Sequence, residues 1–149
     1  MPARQSGGFM AAELFSRGWA ERWRDEINGS AAFRDLGADW YGSLALVVAG
    51  DDGAAHRRGV FVDLRGGVCE KARPATARDL ERAGFVVAAR PETWRDLLAG
   101  RTDLLFSIVL GRFHLERGSL AELKPHVAAA RALLAAAGRV ETSYPAVRS

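Results

Sequence analysis

Side chains able to do covalent or metal chemistry are few in this chain and scattered. Its histidines are His56, His114 and His126, and its one cysteine is Cys69. No histidine stands at metal-ligand spacing to another, and Cys69 has no partner Cys or neighbouring His, so no zinc-type donor set is expected. A nucleophilic cysteine needs a base or positive charge to hold its thiolate. Cys69 falls on an expected strand and reads better as a small buried hydrophobe. Asp51-Asp52 precedes Gly53 and reads as turn chemistry rather than a carboxylate pair for acid/base work. No G-x-S-x-G elbow, P-loop or G-x-G-x-x-G run occurs. The expectation is no catalytic residue, no metal, no cofactor and no enzyme.

What remains is apolar surface, whose chemistry is desolvation. Hydrophobic residues make up 48% of the 149. They concentrate in Trp94–Leu123, which reads as two short helices, a strand and the start of a third helix, punctuated by Gly100, Gly111 and Gly118. A glycine at the end of an element supplies positive φ cheaply. Leu104, Leu105, Phe106, Ile108, Val109 and Leu110 are too apolar all round for a surface helix. Such a helix must be buried or must line a space filled by something apolar.

The surrounding elements are legible in order. Phe15, Trp19, Trp23 and Ile27 recur every four residues on a helix starting near Met10, which Asn28-Gly29 ends. Ser30 caps a short second helix that Gly37 terminates. Trp40 to Ala49 alternates, with Leu44, Leu46 and Val48 expected inward and Tyr41 and Ser43 outward. His56–Leu64 and Val68–Ala72 follow through Gly-rich turns, giving a three-strand antiparallel meander. Thr76–Arg82 is expected to make one helical turn. Phe85–Ala89 is a fourth strand whose longer connection permits a crossover. Pro91 opens a helix carrying Trp94, Leu97 and Leu98. Thr102 is expected to cap the next helix, with Asp103 supporting its positive end. Arg112–Glu116 is the fifth strand. Ser119-Leu120-Ala121-Glu122 is a capping box, and Pro125 interrupts the helix that follows. Val127, Ala130, Leu133, Leu134 and Ala137 give the last helix its apolar face, and Gly138 ends it.

This order of residues resembles the sterol carrier protein type-2 domain. The resemblance rests on Trp94, Leu97-Leu98, Gly100-Arg101, Asp103, the Leu104–Leu110 helix, Gly111-Arg112-Phe113-His114-Leu115 and Gly118, and extends over Trp40–Gly138. Leu104 stands where the family often has Pro, and His114 where it often has Lys. The resemblance implies a single α+β domain, with a five-stranded mixed sheet covered by helices that leave an apolar tunnel for a lipid or fatty-acyl ligand. The tunnel wall is expected to include Leu44, Leu46, Phe61, Leu98, Leu105, Phe106, Val109, Phe113, Leu115, Val127 and Leu134. Pro125 makes the first turn after Gly118 separable, so Leu120–Val127 is expected to border the entrance, with Tyr144 near it. Periodicity alone favours an ordinary packed core, and the resemblance reverses that in favour of a tunnel. The alternative function is a protein–protein or accessory module of the same fold without a ligand.

Residues 1–8 are polar and Gly-rich and are expected to be disordered, leaving 9–149 as the domain. The formal charge is +3, and no basic run is interleaved with aromatics, so nucleic acid is not an expected partner. No apolar run approaches the ~20 residues of a membrane span, which leaves at most transient membrane contact. Met1–Gly8 has no signal-peptide core, Val147-Arg148-Ser149 matches no targeting address, and one cysteine permits no internal disulfide; the expected location is cytoplasmic. Only Lys71 and Lys124 among the 21 basic residues are lysine, the bias of a GC-rich, bacterial genome.

Overall fold

The computed structural model describes residues 11–49 and 58–144. Its elements are β1 (Ala12–Glu13), α1 (Arg17–Asn28), α2 (Ala31–Leu36), β2 (Tyr41–Val48), β3 (Gly59–Arg65), β4 (Cys69–Pro74) and α3 (Ala77–Arg82). They continue with β5 (Phe85–Ala89), α4 (Pro91–Leu98), α5 (Leu104–Val109), β6 (His114–Arg117) and α6 (Leu120–Leu123). A 3₁₀ turn (Lys124–His126), α7 (Val127–Gly138) and β7 (Thr142–Ser143) complete the fold.

The main sheet has the order β4-β3-β2-β5-β6. β2, β3 and β4 form the antiparallel meander, while β5 crosses over to lie parallel to β2 and takes β6 antiparallel on its far side. The sheet is therefore mixed, five-stranded and accompanied by helices, as expected. β3, β2 and β5 are its interior strands, and all five residues of β5 are buried. A strand covered on both faces reads as a continuous apolar run, and Phe85-Val86-Val87-Ala88-Ala89 is one. The outer strand β4 exposes Glu70 and Lys71, charges that discourage pairing with another chain.

Alternation sorts β2 into two faces. Leu44 and Leu46 join the main core beneath the helices, with Val48 packed against it, while Tyr41 is exposed and Ser43 half-buried. Ala45 and Val47 are fully buried on the opposite face among Ala83, Val86 and Ala88, with Leu80 of α3 packed over them.

The main core is an aromatic chain fixed by indole hydrogen bonds. Phe15 meets Trp19 and Trp94 edge-on at 5.2 and 5.3 Å, and Trp94 meets Phe113 edge-on at 4.8 Å. Trp19 Nε1 donates to Thr142 Oγ1 (2.8 Å), Trp23 Nε1 to the Leu133 carbonyl (2.9 Å) and Trp94 Nε1 to the Val47 carbonyl (2.9 Å). These buried rings therefore lose no polar partner on leaving water. The Trp19–Trp23 stripe is core, and α1 is held to α7 and to the sheet through it.

Three local features differ from the sequence expectation. The first helix begins at Arg17 rather than near Met10. Phe15 has φ of 64° and Ser16 accepts from the Trp19 N–H as N-cap, while Ala12–Glu13 pairs parallel with Thr142–Ser143 in a second, two-stranded sheet. Pairs this short and this far apart in sequence leave no alternating pattern to read. Asp103, not Thr102, caps α5: its carboxylate accepts from the Phe106 N–H, and the Thr102 hydroxyl bonds Ser107 instead. Thr76 and Asp79 form a full capping box on α3, turning the expected single turn into a defined helix.

The capping box at Ser119–Glu122 is formed, and Pro125 lies in the 3₁₀ turn that separates α6 from α7. Gly118 has φ of +83°, and a Cβ there would sit 2.4 Å from the Phe85 ring, so both conformation and space demand glycine. Residues 1–8, the Asp51-Asp52-Gly53 turn, His56 and Arg57 lie outside the described residues.

Candidate functional site

Between the sheet and the helices lies a wholly apolar chamber. Trp40, Leu44, Leu46 and Val87 form its sheet side; Trp94, Leu104, Leu123, Ala130, Leu133 and Leu134 form its helix side. Alternation along β2 places Trp40, Leu44 and Leu46 together, and the 3.6-residue period of α7 places Ala130, Leu133 and Leu134 opposite them. The chamber is almost closed, with a volume of about 20 Å³. An engineered cavity that binds benzene measures ~150 Å³, so the chamber in this state is far smaller than a ligand site.

An open pocket of about 180 Å³ adjoins the chamber, lined by Leu97, Leu98, Leu104 and Leu134 among others, with Thr102, Asp103 and Arg131 at its rim. Leu104 and Leu134 belong to both spaces and so form the partition between them. The Asp103 carboxylate accepts from Arg131 Nε at 2.9 Å and Arg131 Nη2 at 3.3 Å, fastening the start of α5 to α7. That guanidinium, aided by the Phe106 and Leu105 backbone donors, holds the Asp103 carboxyl below its ordinary range against the opposing effect of burial.

Helix α5 is inverted relative to what its composition suggests. Its one polar residue, Ser107, is fully buried, its hydroxyl 2.7 Å from Thr102 Oγ1 and its carbonyl accepting from the Arg112 and Phe113 N–H groups. Two of its apolar residues and the one that follows do not share that burial: Phe106 is 59% exposed, Val109 68% and the following Leu110 52%. Burial of an all-apolar helix was the wrong alternative because six residues give less than two turns. Ser107 and Leu104 occupy the inner face, Leu105 and Ile108 are half-buried beside it, and Phe106 and Val109 meet solvent.

The expected wall residues accordingly divide. Leu44, Leu46 and Leu134 line the chamber, and Leu98 lines the open pocket beside it. Leu105 is half-buried, while Leu115 and Val127 are half-buried against the main core. Phe106 and Val109 point to solvent. Phe113 is locked in the aromatic chain against Trp94. Phe61 points to the opposite sheet face, with the Arg73 guanidinium 4.9 Å from its ring centre, because it stands opposite Ala45 rather than Leu44 or Leu46. Trp40, Val87, Trp94, Leu104, Leu123, Ala130 and Leu133 line the chamber without having been singled out. For Trp40 the signal was present, since it shares the β2 alternation with Leu44. Leu123 borders the chamber from within the expected entrance segment, and His126 stacks on Trp40 at 4.6 Å, but the open pocket lies on the α4–α5 side instead.

The groups able to do chemistry lie away from these spaces. Cys69 is buried, and burial pushes its thiol up to about 12, so it is protonated at neutral pH. Asn28 exchanges two hydrogen bonds with the Cys69 backbone, at 2.8 and 3.0 Å, which ties α1 to β4. His114 is exposed on β6. Among the described residues no group of three or more His, Cys, Asp or Glu side chains converges to hold a metal. No helix among them is long and apolar enough to cross a membrane.

Known proteins share this fold. The crystal structure of a sterol carrier protein 2 superposes with a TM-score of 0.77 at 35% identity, over 86% of this chain and 99% of that one. The solution structure of a conserved hypothetical protein from Thermus thermophilus, described as a possible sterol carrier protein, gives 0.76 at 32% identity over 90% and 97%. Apo sterol carrier protein 2 from Yarrowia lipolytica gives 0.54 at 13% identity and shares the fold alone. No protein-family model and no curated protein matches the sequence. On the strength of the 35% identity across essentially the whole of its relative, the chain belongs to the sterol carrier protein 2 family.

Proposed function

We propose that this protein binds a lipid or fatty-acyl molecule non-covalently in the chamber between sheet and helices and carries it between membranes. The observation that carries the reading is the adjacency of a near-closed apolar chamber and an open pocket on the two sides of the Leu104–Leu134 partition. Helix α5 is the wall that moves. It is six residues long, anchors inward through Leu104 and Ser107, and is fastened to α7 by an exposed ion pair. A segment with so few buried apolar contacts opens at lower cost than the elements around it.

Desolvation supplies the affinity. Burying one methylene is worth ~0.8 kcal/mol, so an acyl chain of about fourteen gains on the order of 11 kcal/mol. Association and ordering cost ~4–15 kcal/mol, and opening the chamber adds to that. The balance suits a carrier that holds its cargo at about micromolar affinity and releases it. The outward face of Phe106, Val109 and Leu110 supports transient contact with a membrane surface at the same door. No chemical step is needed, and no residue is assigned a catalytic role.

The near-closed chamber also favours a second reading, an accessory module of this fold that binds another protein and no lipid. Mass spectrometry of organic extracts from purified protein separates the two. A lipid co-purifying near one per chain supports the carrier; extracts with no stoichiometric lipid, together with no uptake of added fatty acid, support the module.

A further inference from the structure

A second pocket, of about 290 Å³, opens between the C-terminal ends of α4 and α7, and its lining differs in kind from the chamber. Arg95 and Arg101 bring guanidinium groups, Tyr144 and Thr142 bring hydroxyls, and Leu98 and Val140 give an apolar floor. No carboxylate lines it. Arg101 is committed to Asp96 through Nε and Nη2, at 3.1 and 3.0 Å, both on one carboxylate oxygen. Arg95 has no carboxylate partner among the described residues; its guanidinium lies 5.1 Å from the centre of the Tyr144 ring. The Thr142 hydroxyl donates to the Val140 carbonyl while accepting from Trp19 Nε1, so it stiffens the pocket rather than supplying a donor.

Two guanidinium groups against the Asp96 carboxylate leave one uncompensated positive unit, carried by a residue whose guanidinium lies over an aromatic ring. A guanidinium so placed keeps its outer N–H groups free for a planar or tetrahedral oxyanion. The carbonyls of Arg95, Asp96 and Leu97 at the end of α4 already accept from Ala99, Arg101 and Gly100, which blunts the negative end of that helix. Gly138 makes the site possible: a Cβ there would lie 2.6 Å from the Leu98 carbonyl oxygen, so only glycine lets α7 approach α4 this closely.

The pocket is also in line with the apolar spaces. It shares Leu98 with the open pocket, which in turn shares Leu104 and Leu134 with the chamber. We propose that this pocket receives the singly charged oxyanion headgroup of the bound amphiphile, a carboxylate or phosphodiester on Arg95, while the acyl chain passes over Leu98 toward the chamber. The inference rests on the lipid-carrier reading and makes that carrier selective for anionic over neutral lipids.

The test compares dodecanoate, lysophosphatidylglycerol, neutral dodecanol and inorganic phosphate as probes of the full chain at pH 8, by calorimetry and by amide shifts of Leu98–Arg101 and Val140–Tyr144. The wild type is expected to bind dodecanoate or the lysophospholipid about tenfold more tightly than dodecanol, the yield of one charge-assisted hydrogen-bonded pair. Arg95→Gln removes the preference while leaving dodecanol affinity unchanged, and Arg95→Lys retains part of it. Arg95 is exposed and has no ion pair among the described residues, so these variants should fold, which circular dichroism checks. Equal affinity for the anionic probes and dodecanol in the wild type overturns the headgroup site but leaves the carrier standing. Absence of binding by every lipid overturns both. Inorganic phosphate shifting the same amides as strongly as the lipid anions identifies a free-anion site and overturns the headgroup assignment.

Discussion

Removing the Asp103 carboxylate should make the protein less stable and a better lipid binder. In Asp103→Ala two things are lost together. The N-cap of α5 loses its bond from the Phe106 N–H, at 3.1 Å, a change that typically costs ~1 kcal/mol. The Arg131 pair is lost too, but both partners are substantially exposed, so it adds at most ~1 kcal/mol. The sum, about 1–2 kcal/mol, should be read in urea unfolding. If α5 must leave α7 before a chain can enter, the same energy is part of the opening cost. Each ~1.4 kcal/mol removed then tightens apparent binding tenfold, so fatty-acid affinity should rise about fivefold to twenty-five-fold. Arg131→Ala keeps the cap and loses only the pair, and should show a smaller shift of the same sign in both assays. Stability falling by this amount while affinity for a fluorescent fatty acid is unchanged, or weakens, would refute the idea that α5 is the door.

Three further outcomes follow from the geometry. Phe106→Ser with Val109→Ser should change stability by no more than ~0.5 kcal/mol per site, since both side chains face water, and should slow lipid transfer to vesicles without altering affinity for monomeric fatty acid. Equal loss in both lipid assays would return these residues to the binding wall. Ala130→Leu should fill the chamber and abolish lipid uptake at an overpacking cost of ~1–3 kcal/mol; uptake at wild-type level would place the ligand elsewhere. Burial raises the Asp79 carboxyl, but the Arg73 fork (2.8 and 3.3 Å) and the Thr76 cap outweigh it and hold the group below its ordinary value. A carboxylate depressed in the folded state stabilises above its unfolded value and loses that contribution as pH falls through the folded one. The wild type should therefore lose more stability than Asp79→Asn on acidification below about pH 4; parallel pH profiles would contradict this.

How much was legible depended on whether a signal was local. The meander and the caps at Ser30 and Ser119 rest on alternation and on side chains within three residues of the group they satisfy. The β1–β7 pair joins segments about 130 residues apart through two residues each, and no periodicity of that length can be detected. In the site, Leu44 and Leu46 followed from strand alternation. Phe61 failed because its face depends on the pairing register with β2, which places it opposite Ala45. Phe106 and Val109, expected on the tunnel wall, face water instead. A six-residue helix anchored by Ser107 has an outer face whatever its composition, and apolar atoms cover much of any protein surface. The choice of partition was not readable at all, since Leu104 and Leu134 come together only through the packing of α5 on α7.

The most direct test of the account places the ligand within the fold. The full chain, labelled with ¹⁵N, is titrated with a fatty acid carrying a nitroxide near its terminal methyl group, and paramagnetic broadening of the amides is recorded. The account predicts selective broadening at Leu44, Leu46, Val87 and Ala130 around the chamber, reversed by unlabelled fatty acid. Broadening confined to the outer face of α5 at Phe106–Leu110, with the chamber amides unaffected at saturation, would contradict it.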